Sequence, residues 1–315
     1  MVGYLIRRLL YSFAVLMGVL VLVFVTIRLS PQDPVKDMLR RSRSAQGNIN
    51  PVEYAQLQHR MGLDRPMPVQ FVDYVGDIAR GDFGESYVQR GRTVNEILRR
   101  GIPVSLQIGL ISLGIQIVLG GMVGVVAAAK QNSLFDRSAM AIAIWLGSIP
   151  QLVVGIFLIV FFGVQLRWLP IRGWGTAEGF ILPLATLSLY GIGQFARFDR
   201  AAVLEQMRQD FVRTARAKGL DERKILFRHV LRNALIPIIT FIGPSIAFLI
   251  VGNFVVETMF GIPGIAYYAI NALTRGDYPV AQATVVLFAA FTMAVNLVVD
   301  FSYGIIDPRV RINRS

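Results

Sequence analysis

The chain has 315 residues, 54% of them hydrophobic and 17% charged, with a mean hydropathy of +0.54 and a net charge of +12. Soluble domains carry roughly 25% charged residues, so the composition moves the chain into the integral-membrane class before any motif is read. Zero cysteines exclude disulfide frameworks, thiolate metal sites and cysteine nucleophiles, and basic charge interleaved with segments too apolar for water argues against a nucleic-acid partner.

Uncharged runs at Leu9–Ile27, Gly101–Ala129, Ser138–Leu166, Gly179–Ala196, Asn233–Val256 and Tyr278–Val299 approach or exceed the ~20 residues a helix needs to cross about 30 Å of hydrocarbon. They predict an all-α integral membrane protein with six transmembrane helices. The first run follows Arg7 and Arg8 as a signal peptide would. It is longer than an ordinary signal core, and Arg28 follows it with no small-x-small cleavage site, so residues 1–29 are expected to be a retained N-terminal helix.

Residues 30–100 are too polar for a span and too many for a connector, and are expected to form an extracytoplasmic subdomain. Within it Asn50-Pro51-Val52-Glu53 reads as an N-cap, a first-turn proline and an acidic third position, starting a helix that stops near Gly62. Val69, Val72, Val75 and Ile78–Ala79 mark a second amphipathic stretch, ended by the turn Gly81-Asp82-Phe83-Gly84-Glu85-Ser86.

Residues 101–306 are expected to be a five-helix core. Gly120-Gly121-Met122-Val123-Gly124, with Gly109, Ser112 and Gly114 a few turns earlier, predicts close helix–helix approach. Pro150, Pro183, Pro237 and Pro244 each lack a backbone donor and predict kinks. Polar groups in or beside the runs include Gln107, Gln116, Gln151, Gln194, Asn253, Asn296 and, just past the last run, Asp300. None forms a charged relay of the kind a proton-driven pump needs, so any pathway is expected to be wide and mildly polar.

Between the fourth and fifth runs lies a basic stretch, Glu205 to Pro237, carrying Arg208, Arg213, Arg216, Lys218, Arg223, Lys224, Arg228 and Arg232. Helix-forming residues extend from about Ala201 to Lys218 and from Asp221 to Ala234. Gly219 between them supplies a left-handed stop, and Asp221–Glu222 suits the next start. Topology alone would account for the arginines; it would not call for Ala215, Ala217 and Leu220 beside the turn, or for Ile225, Leu226 and Val230 after it. Lys and Arg in short segments set orientation. Arg7–Arg8, Lys130, Arg137, the basic stretch and Arg309, Arg311 and Arg314 fall on one side, against Arg28, Arg167, Arg172 and Arg275 on the other. Both termini, the 197–232 loop and the tail 307–315 are therefore expected in the cytoplasm.

Catalytic signatures are missing. No Gly-Lys dipeptide exists from which to build a phosphate loop. The histidines His59 and His229 are too few and too distant for a metal site, and no Gly-x-Ser-x-Gly elbow occurs. No catalytic, cofactor-binding or metal-binding residue is assigned.

Arg213-Thr214-Ala215-Arg216-Ala217-Lys218-Gly219-Leu220, followed by Arg228-His229-Val230-Leu231-Arg232-Asn233-Ala234-Leu235-Ile236-Pro237, resembles the cytoplasmic loop of binding-protein-dependent ABC transporter permeases. The branch is the one that imports dipeptides, oligopeptides, nickel or glutathione. Gly81–Ser86, Val256-Glu257-Thr258-Met259-Phe260-Gly261-Ile262-Pro263-Gly264, Asp277-Tyr278-Pro279-Val280, Asp307-Pro308-Arg309 and the N-terminal Arg-Arg-Leu-Leu are similar to the first of the two paired permeases, the B-type subunit. The likeness covers nearly the whole chain. One departure is that Arg213-Thr214-Ala215 stands where the general permease signature has Glu-Ala-Ala, as it does in the peptide/nickel branch.

The resemblance implies a permease subunit of an ATP-driven importer in a bacterial or archaeal plasma membrane, forming half of a peptide pathway. Its implied partners are a second homologous permease, two ATP-binding cassette subunits that carry the ATP and Mg, an extracytoplasmic substrate-binding protein and the lipid bilayer, with no nucleic acid. Thr214, Ala215, Arg216, Ala217, Lys218, Gly219 and Leu220 become a coupling helix. In it Ala215, Ala217, Gly219 and Leu220 give close docking on the ATPase, while Arg216 and Lys218 pair with acidic groups. Asn253 and Glu257 are candidates for pathway lining, with packing or a helix cap as the competing role. Nickel, glutathione or oligosaccharide are alternative cargoes. A stand-alone secondary transporter is the alternative class, and it calls for intramembrane charged pairs or half-repeats that are not evident.

Overall fold

A computed structural model of the chain describes residues 2–29, 33–42, 50–89 and 91–306. The expected tail 307–315, with its Asp307-Pro308-Arg309, lies outside the described residues. Among these residues the structure is helical throughout, apart from turns and one antiparallel bridge, Glu85 to Thr93. Five helical segments are long and apolar enough to cross a membrane: Ile6–Arg28, Val94–Ala129, Glu178–Met207, Glu222–Ile246 and Tyr278–Val299. A pair bent by 99°, Leu134–Ser148 with Gln151–Gln165, makes a sixth if it counts as one span.

That bend is sharper than the kink expected from Pro150. A residue before proline is pushed out of the helical region, and Ile149 has ψ 127°. Pro150 then caps a new helix instead of continuing the old one. Pro183 does the reverse: it is the third residue of its helix, Ile181–Met207, where backbone N–H groups have no intrahelical partner to lose, and it produces no break. Pro237 and Pro244 sit inside a helix that runs on through both, and Pro103 is carried inside a helix in the same way.

Contacts divide the chain into two units, Met1–Val104 with Pro263–Met293, and Ser105–Ile262 with Ala294–Ser315. The 263–293 segment thus clusters with the first third of the chain.

The first unit holds helices α1 (Val2–Arg28), α2 (Pro34–Ser42), α3 (Pro51–Arg60), α4 (Met67–Ala79), the start of α5 (Val94–Ile115), α13 (Ile265–Arg275) and much of α14 (Tyr278–Ile306). Asn50 caps α3 by accepting from Val52 N–H at 3.0 Å, with Pro51 first in the helix, and Gly62 follows its end at φ +64°. In helix α2 Val35, Met38 and Leu39 recur at helical spacing, and Asp33 caps it by accepting from Val35 and Lys36 N–H. Phe24 of α1 packs edge-on to Phe71 of α4, 5.3 Å between centroids.

The Gly81–Ser86 turn is the joint of this unit. Gly81 and Gly84 take φ +75° and +77°, a region open to glycine and strained for other residues. Asn95, on the first turn of α5, accepts from Phe83 N–H and donates to the Gly81 carbonyl. Ser86 Oγ and Tyr87 N–H both donate to the Asp277 carboxylate, which is buried in the gap between α13 and α14. Two motifs 191 residues apart in sequence therefore meet in one hydrogen-bonded knot. Beside it Val94, Ile97 and Leu98 pack on Ala272, Val280, Ala281 and Ala283.

In the second unit α9 (Ile181–Met207) is the central helix, packed by α6 (Gly121–Ala129), α7 (Leu134–Ser148), α8 (Gln151–Leu158) and α12 (Leu231–Phe260). Helix α5 passes into α6 through a π-helical turn, Gln116–Gly120. The expected glycine contact is made here. A Cβ on Gly120 would stand 2.6 Å from Phe195 Cβ, and one on Gly124 2.6 Å from the Ala196 carbonyl. Gly114, by contrast, has nothing within 4 Å. On α9 itself Gly193 abuts the Ala143 carbonyl of α7.

Two outcomes follow from these contacts. Asp277→Ala strands Ser86 Oγ and Tyr87 N–H in a buried site and should cost on the order of 2 kcal/mol; thermal unfolding in detergent, with faster proteolysis near residues 81–92, is the readout. Gly124→Ala should lower the melting temperature of the purified protein, while Gly114→Ala, in open space, should leave it unchanged.

Candidate functional site

Helix α9 ends at Met207, earlier than the continuous helix expected from Ala201 to Lys218. Arg208 and Gln209 turn the chain, and a separate short helix α10 (Asp210–Ala217) begins. No proline or glycine marks the break, so the local sequence carries no signal for it. The stop after α10 is as expected. Gly219 has φ +75°, Gly219 N–H donates to the Arg216 carbonyl at 2.9 Å and Leu220 N–H to the Ala215 carbonyl at 3.3 Å. This is the paired Schellman pattern that satisfies the last carbonyls of a helix. Asp221 then caps α11 (Glu222–Lys224) by accepting from Arg223 N–H, and a π-helical segment, Ile225–Val230, leads into α12.

Burial sorts the residues of this loop. Val212 and Ala215 point inward and join Ala202, Val203, Ile225, Val230 and Ala234 in one apolar cluster. Ala215 is only 6% exposed, so within the chain it supports the turn from beneath, where close docking of its own surface was expected. Thr214, Arg216, Ala217, Lys218 and Gly219 are exposed, and Phe211 and Leu220 are each 37% exposed. Arg216 makes a two-pronged pair with Glu222, at 2.7 and 3.2 Å, and this hydrogen bonding raises the guanidinium pKa. Arg216 therefore staples the two sides of the turn within the chain. Lys218 has no such tie among the described residues.

The turn is also anchored to the bundle. Asp136, at the start of α7, receives Arg200 of α9 through Nε at 2.5 Å and Nη2 at 2.7 Å, and accepts from Asn132 N–H. The carboxylate is buried. A bidentate pair of this kind holds two side chains in one geometry, here two turns before α9 ends.

Asn253 and Glu257, the pathway candidates, are 2% and 0% exposed within the chain. Asn253 Nδ2 donates to the Ser105 carbonyl at 3.0 Å, and Ser105 Oγ donates to Glu257 Oε1 at 2.5 Å. Both side chains thus tie α12 to α5 within the chain. Other in-span polar residues do line a space: Gln116, Gln151 and Gln194 converge on a cavity of about 330 Å³ within the second unit. Their mutual approach had no sequence signal, since each sits on a different helical run.

Residues 120–312 match the family described as binding-protein-dependent transport system inner membrane component, and residues 1–108 match its N-terminal companion family. The chain is 36% identical over 342 residues to the di/tripeptide transport system permease protein of Pseudomonas aeruginosa, covering 100% of both chains. It is 33% identical to the dipeptide transport system permease protein of Bacillus subtilis (100% of this chain, 99% of the relative). To the oligopeptide transport system permease protein of Salmonella typhimurium it is 34% identical (99% and 100%). Among solved structures, a chain of the MetNI methionine ABC transporter shares the fold at TM-score 0.57 and 20% identity, covering 67% of this chain and 96% of that one. The chain belongs to the family of binding-protein-dependent transport system inner membrane components, as a non-catalytic, multi-pass permease subunit whose ATP is hydrolysed on separate subunits.

Proposed function

We propose that this subunit forms half of the translocation pathway of an ATP-driven importer of di- or oligopeptides. A second homologous permease completes the pathway, two ATP-binding cassette subunits bind the ATP and Mg, and an extracytoplasmic binding protein delivers the peptide; this chain binds no cofactor. The peptide reading is supported by relatives of full length named for di/tripeptide, dipeptide and oligopeptide transport. The distribution of Lys and Arg supports cytoplasmic termini and a cytoplasmic 197–232 loop.

One observation carries the mechanical part: an exposed turn backed by a buried apolar cluster. Thr214, Ala217, Lys218, Gly219 and Leu220 present a small surface, while Val212 and Ala215 weld α10 to α9 and α12. A push on the turn is therefore delivered to two long helices. ATP binding draws the paired ATPase subunits together and shifts the turn, and α9 and α12 follow. For the cycle to do work, the turn must bind its partner with different strength in the two states.

Leu220→Asp changes the exposed face and leaves the cluster intact. In a reconstituted complex it should cut peptide-stimulated ATP hydrolysis by about tenfold, the loss of one good interface contact, with an unchanged melting temperature. Wild-type stimulation in that variant would sink the docking assignment. Ala215→Glu should act differently, burying a charge in an apolar cluster at a cost on the order of 3 kcal/mol; a lowered melting temperature of the isolated subunit checks it.

A further inference from the structure

The cavity of about 330 Å³ in the second unit lies beside two breaks in regular helix and one proline carried inside a continuous helix. Gln116 opens the π-helical turn between α5 and α6. Gln151 is the first residue of α8, directly after the 99° break, and Pro244 stands inside α12. All of these residues line the cavity. Irregular backbone at membrane depth persists where it is buried in protein or faces a cavity, and broken helices are a common way of building transporter sites.

The lining has a consistent chemistry. Gln194 is held from both ends: Nε2 donates to the Tyr190 hydroxyl at 3.0 Å, and Oε1 accepts from Arg197 at 2.8 Å. Gln116 donates to the Leu187 carbonyl at 3.2 Å and is seated against Gly191, where a Cβ would overlap its carboxamide. Gln151 is half-buried and takes no hydrogen bond among the described residues, so its donor and acceptor are both available to the cavity. Phe195, Phe241 and Tyr190 supply apolar wall, and no charged side chain lines the space among the described residues.

We propose that this cavity is an intramembrane station for the main chain of an extended peptide, with the Gln151 carboxamide as its principal contact. The inference deepens the peptide-importer reading above and rests on it. A carboxamide carries one acceptor and a planar donor pair, and so can accept from one peptide N–H while donating to a nearby C=O. Among the described residues the wall itself carries no charged side chain, and the Arg197 guanidinium behind it is engaged by Gln194. The wall also presents neither carboxylate nor imidazole, the groups that divalent metal ions seek. The volume sits at the low end of the 300–1,000 Å³ typical of small-molecule sites, which suits a short stretch of peptide.

The test compares ATP-driven uptake of trialanine and of its analogue N-methylated at both peptide bonds, in proteoliposomes holding the complete transporter, binding protein and ATP. The variant is Gln151→Leu, and the quantity read is the ratio of variant to wild-type uptake for each peptide, so that any effect of methylation on the binding protein cancels. Removing the amide should lower trialanine uptake by about 3- to 10-fold, the worth of one or two hydrogen bonds. The methylated peptide, already lacking the donors, should lose less than half that factor, and peptides with acidic or basic side chains should lose the same factor as trialanine. Equal losses for trialanine and its methylated analogue, or no loss for either, overturn the station. Should Gln151→Leu assemble poorly with the ATPase subunits, Gln151→Met, of similar length and without the carboxamide, supports or overturns the station by the same criteria in the same comparison. Absence of ATP-driven uptake of any peptide by the wild-type complex overturns the importer reading itself, and the station with it.

Discussion

Close backbone approach along α9 is the constraint on which the second unit depends. In hydrocarbon two helices gain nothing by hiding apolar side chains from lipid that is equally apolar, so association rests on packing at short range. Gly120 and Gly124 bring the α5–α6 run onto the backbone of α9, and Gly193 lets α7 do the same from another side. Larger residues at these positions would hold the helices apart and forfeit the dispersion contacts that replace the hydrophobic effect. Helix α9 is accordingly buried along its length, from Leu182 through Phe195 and Ala196 to Val203.

A helix held so tightly can carry load. The last turns of α9 are pinned to α7 by the Asp136–Arg200 pair, and they share an apolar cluster with α10 and the entry to α12. The exposed turn at Gly219 is thus a stiff extension of the bundle and not a loose basic loop. Its stiffness comes from three local sources: the Schellman hydrogen bonds, the Asp221 cap and the Arg216–Glu222 staple. The pair on the surface adds little stability by itself, but it holds the relative angle of the two sides of the turn.

The irregular places in the helices have a common logic. The π-helical turn at Gln116, the break before Gln151 and the proline at 244 all border one internal space. Elsewhere the same residue types are silent: Pro183 falls in a first turn, where a missing donor changes nothing. Asn253 and Glu257, polar and near the end of α12, serve as ties to Ser105. Polarity within a span therefore marks either an interhelical tie or a cavity wall, and only the neighbouring helix decides which.

The sequence by itself determined the class, the spans, the family and the glycine-marked stops. Apolar runs of spanning length, Asn50 before Pro51, and glycines at 62, 81 and 219 act within a few residues, and the structure places a cap or a left-handed turn at each of these local signals. Gly219 and Leu220 could be placed at a turn for the same reason. What tertiary structure alone decided was every question of facing. Ala215 and Ala217 are alike in sequence, yet one is buried against Ile225 and Val230 and the other exposed, because a helix of eight residues has one inward side and its rotation is set by what packs beneath. The meeting of Ser86 with Asp277, and of three glutamines around one cavity, joins residues far apart along the chain. Periodicity and capping are short-range properties of the backbone and can be read from one strip of sequence; a contact between two strips depends on their packing angle and register, which neither strip contains.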